Sequence, residues 1–131
     1  MTPEENNKVK SLTNPADVFN YVVDHLRRQG CQSLLDHEGN CAYRGDGGTM
    51  CAIGALIADE EYDPTWEGHG IDVLMEADLL PPDLKNRIES NLVMLSDLQY
   101  FHDCCLEYED GQFTERAEAH INFYRRDWNI E

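Results

Sequence analysis

Residues 41–54 read CAYRGDGGTMCAIG, and the fold class turns on this stretch. Cys41 to Arg44 and Thr49 to Ile53 are short strand-compatible segments on either side of Gly45, Asp46, Gly47 and Gly48, a pattern that predicts a hairpin with a four-residue loop. Gly54 then releases the chain into a short helix, 55–58, and Asp59 can cap a further turn that Asp63 and Pro64 stop. Upstream, Asn14 is placed to cap a helix that begins at Pro15, and Val18, Val22 and Leu26 repeat on one face until Gly30 ends it. Asp36, Glu38, Gly39 and Asn40 supply turn chemistry in the connection that follows. Downstream, Ile71 to Leu80 predicts a short helix closed by Pro81 and Pro82. Pro82 opens the longest expected helix, with an apolar stripe through Ile88, Leu92, Leu95 and Leu98 that reaches His102. After an acidic turn at 107–111, Phe113, Ala117, Ile121 and Tyr124 mark a last amphipathic helix. The expectation is an α+β protein, mostly helical, with one small antiparallel hairpin packed on amphipathic helices. It comprises a flexible N-terminus, 1–12, and a single globular domain, 13–131.

Composition restricts function without naming it. The 131 residues include 10 Lys plus Arg and 26 Asp plus Glu, a formal charge of −16, with 41% hydrophobic residues. Residues 1–57 hold five basic and seven acidic groups, whereas residues 58–131 hold five and nineteen. Nucleic-acid backbone needs Lys and Arg to displace its counterions, so direct DNA or RNA binding is disfavoured and a basic partner is favoured. The alternative is that the acids only solvate helices. No apolar run nears the ~20 residues that cross a bilayer, and the start lacks an export signal, so a cytosolic protein that avoids membranes is expected. Oligomers are common among small proteins and a dimer is compatible, but no heptad seam is present.

Chemistry-bearing residues are few. Cys31, Cys41, Cys51, Cys104 and Cys105 form no CxxC pair, so zinc held by Cys41, Cys51, His102 and Cys104 is disfavoured against cysteine as a small core residue. Cys51 precedes a helix start that would help a thiolate, but no histidine is assigned to it, and no catalytic residue or cofactor is read. Arg44 together with free amides from Gly54 and Ala55 to Leu56 could hold an anion, with Tyr43 stacked beside it. Alternatively Arg44 pairs with Asp59, Glu60, Glu61 or Glu67 and locks the hairpin to the next turn. Trp66 is either core or partner surface. The candidate ligand-binding set is Tyr43, Arg44, Gly54, Ala55, Trp66 and His102.

Residues 41–68, through Cys41, Tyr43, Arg44, Cys51, Ala52, Gly54, Leu56, Ile57, Asp59, Glu60, Tyr62, Pro64, Glu67 and Gly68, resemble a family of small proteins of tailed bacteriophages and prophages. Leu98, Gln99, His102 and Asp103 resemble a second motif of such proteins, and Ala58 stands where a proline is expected. The resemblance implies a phage accessory protein acting in the bacterial host cytoplasm. The leading expectation is a non-enzymatic binder that antagonises a host defence system by sequestering a small anionic, nucleotide-like signal. The alternatives are an acidic, DNA-mimic-like inhibitor of a basic host protein and a cysteine-dependent enzyme.

Overall fold

The computed structural model describes residues 1–35 and 41–130, and the turn expected from Asp36, Glu38, Gly39 and Asn40 lies outside them. Six helices follow in order, α1 Pro3–Ser11, α2 Pro15–Gln29, α3 Ile71–Glu76, α4 Pro82–Glu89, α5 Leu92–Tyr100 and α6 Glu115–Asp127, with a two-stranded antiparallel sheet between α5 and α6. The fold is mostly helical α+β, as expected.

The central element is α2. The Asn14 side chain accepts from the Ala16 amide, Pro15 occupies the first turn, and Gly30 ends the helix at φ 75°, a conformation open to glycine without a Cβ penalty. Val18, Phe19, Val22, Val23 and Leu26 are completely buried on its inner face. They pack against α5 and against the turn Gly54–Leu56, while Ala117 and Ile121 of α6 join the same core.

Three local expectations are corrected. The aperiodic segment 1–12 contains α1, because Thr2 and Glu5 form a reciprocal capping box, Pro3 starts the helix and Val9 is buried. The stripe from Pro82 to His102 is divided. Asn91 leaves helical geometry at ψ 20° and its side chain bonds the Arg87 carbonyl, so α4 and α5 are separate and α2 is the longest helix.

The hairpin also moves. Residues 41–53 form no strand ladder with one another: apart from a turn bond from the Gly45 amide to the Thr49 carbonyl, their amides find outside partners, Ala42 donating to the Ser33 carbonyl, Met50 to Gln29 Oε1 and Ile53 to Gln99 Oε1. The sheet is instead β1, Tyr108–Glu109, paired with β2, Gln112–Phe113. Asp110 and Gly111 connect them at φ 53° and 77°, the two positive values that a tight two-residue hairpin turn requires. Phe113 thus belongs to β2 and precedes the last helix.

Between α2 and α3 the chain makes four single 3₁₀ turns, Asp46–Gly48, Gly54–Leu56, Asp59–Glu61 and Pro64–Trp66. These fold residues 41–68 into a corner that the helices surround. No helix is long and apolar enough to cross a membrane among the described residues.

Candidate functional site

The corner is held by side chains that reach back to the backbone. The Arg44 guanidinium donates to the Gly54 carbonyl at 2.8 Å, the Ile57 carbonyl at 2.7 Å and Asp59 Oδ1 at 3.1 Å, and lies over the Tyr62 ring. Glu67 works from the opposite side. Its two oxygens accept from the amides of Tyr43 and Arg44, both at 3.0 Å, and from the Tyr62 hydroxyl at 2.6 Å. Of the four acids proposed as partners for the Arg44 guanidinium, Asp59 takes that place. Glu61 instead pairs with Arg87, whose side chain is 3% exposed and also donates to the Leu56 carbonyl.

The amides expected to bind an anion with Arg44 are also engaged. Gly54 N–H faces Cys51 Sγ, Ala55 N–H bonds the Cys51 carbonyl and Leu56 N–H bonds the Ile53 carbonyl. Gly54 and Ala55 are buried, and a Cβ at Gly54 would stand 2.3 Å from the Tyr43 carbonyl oxygen. Trp66 is core, edge-on to Tyr62. The anion cradle built on Arg44, Gly54 and Ala55 is therefore filled from within the chain.

A cleft of about 600 Å³ opens beside this corner, a size within the range of ligand sites. Tyr43 and Cys41 contribute from the corner, Asp72 from the start of α3, and Gln99, Tyr100 and Asp103 from the end of α5 and beyond. Tyr43 is fixed there by its hydroxyl, which donates to the His69 carbonyl at 2.7 Å. Thus Tyr43 meets the cleft while Arg44, one residue on, turns into the corner.

Beneath the cleft lies a polar hub centred on His102. After α5 the helix widens into a π turn, Phe101–Cys105, which buries both Phe101 and His102. Gln32 anchors this turn by donating to the carbonyls of His102 and Asp103. The His102 ring accepts the Ser33 amide at Nε2, 3.0 Å away, and its Nδ1 lies 2.9 Å from Asp103 Oδ1 and 3.9 Å from Cys41 Sγ. Gln99 completes the hub: its amide nitrogen donates to Cys41 Sγ and Asp103 Oδ1, and its oxygen accepts from Ile53.

The protonation pattern decides what this hub can do. Burial works against charge on His102, while its hydrogen bonds to Asp103 and Cys41 favour charge and pull the ring pKa up. A second constraint opposes that charge: Nε2 already accepts an amide N–H, so imidazolium would set two N–H groups against each other. The geometry accordingly selects the neutral ring with its proton on Nδ1, donated to Asp103. Although burial opposes ionisation of Asp103, the hydrogen bond from His102 outweighs it and lowers the carboxyl pKa.

Two chemistries fit this pattern poorly. Cys41, His102 and Asp103 place a sulfur, a nitrogen and an oxygen within 4.8 Å, a donor set suited to zinc. Coordination through Nδ1 would move the proton to Nε2, against the Ser33 amide, and Cys104 is exposed on the π turn outside this group. The same tautomer leaves His102 no free nitrogen to take a proton from Cys41. The hydrogen bond with Cys51 and burial push the Cys41 thiol pKa up, the reverse of what a nucleophile needs. Every buried side-chain nitrogen and oxygen among the described residues has a hydrogen-bond partner, so the hub is closed on itself.

Of the expected ligand residues, Tyr43 lines the cleft and His102 supports it from below, whereas Arg44, Gly54, Ala55 and Trp66 build the corner. Cys41, Gln99, Asp103, Asp72 and Tyr100 complete the cleft and its floor. The signal for Gln99 and Asp103 was their place in the second motif beside His102. Nothing local distinguishes Asp72 or Tyr100 from other surface residues. Comparison with protein-family models, curated proteins and solved structures finds no match for this chain.

Proposed function

We propose that the protein is a non-enzymatic accessory binder of phage type, acting in the host bacterial cytoplasm by covering a basic surface of a host protein. The observation that carries this reading is the sign of the cleft: its described lining includes Asp72 and Asp103 and no Lys or Arg. A nucleotide-like signal would meet carboxylates there, while Arg44, the cation such a site would need, is bonded within the corner. This favours the acidic inhibitor over nucleotide sequestration. The net charge of −16 extends the same preference to long range, since opposite charge steers encounter over the ~8 Å screening length of physiological salt. The hub geometry gives no support to a cysteine-dependent enzyme.

Pull-down from bacterial cells, followed by competition on the purified pair, tests the proposal. The expected partner is a nucleic-acid-binding protein that duplex DNA displaces, with affinity falling steeply between about 0.05 and 0.3 M salt. Salt-insensitive binding, or calorimetric heat with cyclic or ADP-ribose-derived nucleotides, would overturn it.

A further inference from the structure

Resting on the reading of an acidic binder, we propose that the cleft is a receptor for an arginine side chain of the basic partner, with Asp72 and Asp103 as its charge partners and Tyr100 at its mouth as its stacking surface. Charge gives the first reason. Among the described residues no ion pair involves Asp72, and Asp103 has no Lys or Arg partner, its neighbour being the His102 imidazole.

The second reason is orientation. Gln99 and His102 both bond Asp103 Oδ1, which fixes the carboxylate at the cleft while its side chain stays 41% exposed. The hub thus holds an acceptor in place before a ligand arrives, which spares the entropy of ordering it on binding. Tyr100 is 59% exposed where it lines the cleft, and an exposed aromatic ring beside a polar cleft suits an interface anchor.

Ligand chemistry supplies the third. The lining mixes acceptors with Ile53, Ile71 and the Tyr43 ring. A guanidinium is planar, less strongly hydrated than an ammonium, carries five donors and stacks on aromatic faces, so it suits such a surface better than a lysine head. A cleft of about 600 Å³ also has room for the arginine stem beside Ile53 and Ile71.

The probe is N-acetylarginine amide, titrated into the 131-residue chain and followed by the backbone amides of Ile53, Gly68 and Gly70 and the side-chain amide of Gln99. Saturable shifts of these groups are expected, with none from the neutral isostere N-acetylcitrulline amide. Asp72→Asn should weaken binding about fivefold, the loss of one half-exposed charge pair, and Tyr100→Ala by a similar factor. Equal shifts from the citrulline compound, no shifts at all, or tighter binding of spermidine at the same amides would overturn the receptor. A basic peptide that binds in a salt-dependent way without moving the cleft amides also overturns it, and leaves the acidic-binder reading standing. If the arginine compound moves the cleft but no basic peptide or protein binds, the receptor holds and the wider reading falls.

Discussion

The corner and the cleft are built from the same kinds of residue and put them to opposite uses. In the corner, Arg44 and Glu67 spend their polar atoms on carbonyls, amides and one hydroxyl of the chain itself. In the cleft, Asp103 is held by two hydrogen bonds yet remains partly open, and Tyr100 stands in solvent. A charged side chain that satisfies two backbone groups and one further side chain has little left for a ligand. One that is oriented by neighbours and still exposed is ready to bind. The contrast explains why the most conspicuous cation in the sequence is structural and the cleft beside it is acidic.

The largest way to break this contrast lies in the corner. Arg87→Ala should destabilise the fold by about 3–5 kcal/mol, because it leaves the nearly buried Glu61 carboxylate without its partner and the Leu56 carbonyl without that donor. Chemical denaturation measures this, and a loss below 1 kcal/mol (on the order of an exposed pair) would show that the corner is not held as described. Gly54→Ala comes next. Its methyl would meet the Tyr43 carbonyl, backbone that cannot step aside, and about 3 kcal/mol of destabilisation is expected.

Arg44→Ala should cost about 2–3 kcal/mol, since the carbonyls of Gly54 and Ile57 lose their donor. Its effect on partner binding should follow the loss of folded protein alone. A stable variant that fails to bind would return Arg44 to the recognition site. Asp103 titration provides a smaller and reversible test. Its pKa is lowered in the folded protein, so its contribution to stability is present above the unfolded value near 4 and disappears as pH falls through the folded value. The contribution of Asp103, followed by the Gln99 side-chain amide, should therefore be lost only below about pH 4, and Asp103→Asn should remove that step. Tyr100→Ala should leave stability within about 0.5 kcal/mol while weakening partner binding, the inverse of the Arg44 result.

Much of the helical framework was legible because its signals are local. Asn14, Pro15 and Gly30 bound α2 correctly, and the four-residue repeat of Val18, Val22 and Leu26 identified its buried face. The hairpin was misplaced although its local signal existed: Asp110 and Gly111 form a two-residue turn that accepts positive φ, while the glycines at 45–48 drew the strands elsewhere. The division of α4 from α5 turns on Asn91, a residue whose effect on a helix depends on which carbonyl its side chain reaches. For the site, adjacency in sequence was misleading: Tyr43 and Arg44 were expected in one ligand site, but only Tyr43 meets the cleft.

The sequence by itself determined the helical faces and the acidic balance, because capping, periodicity and charge act over a few residues or by simple count, and it left Arg44 open between a ligand and an acid of the following turn. Tertiary structure alone decided that Cys41, Gln99, His102 and Asp103 meet, that Ser33 fixes the His102 tautomer, and that the resulting cleft is acidic. These contacts join residues about 60 to 70 positions apart. Their geometry follows from how the core closes around α2 and α5, which no local pattern records.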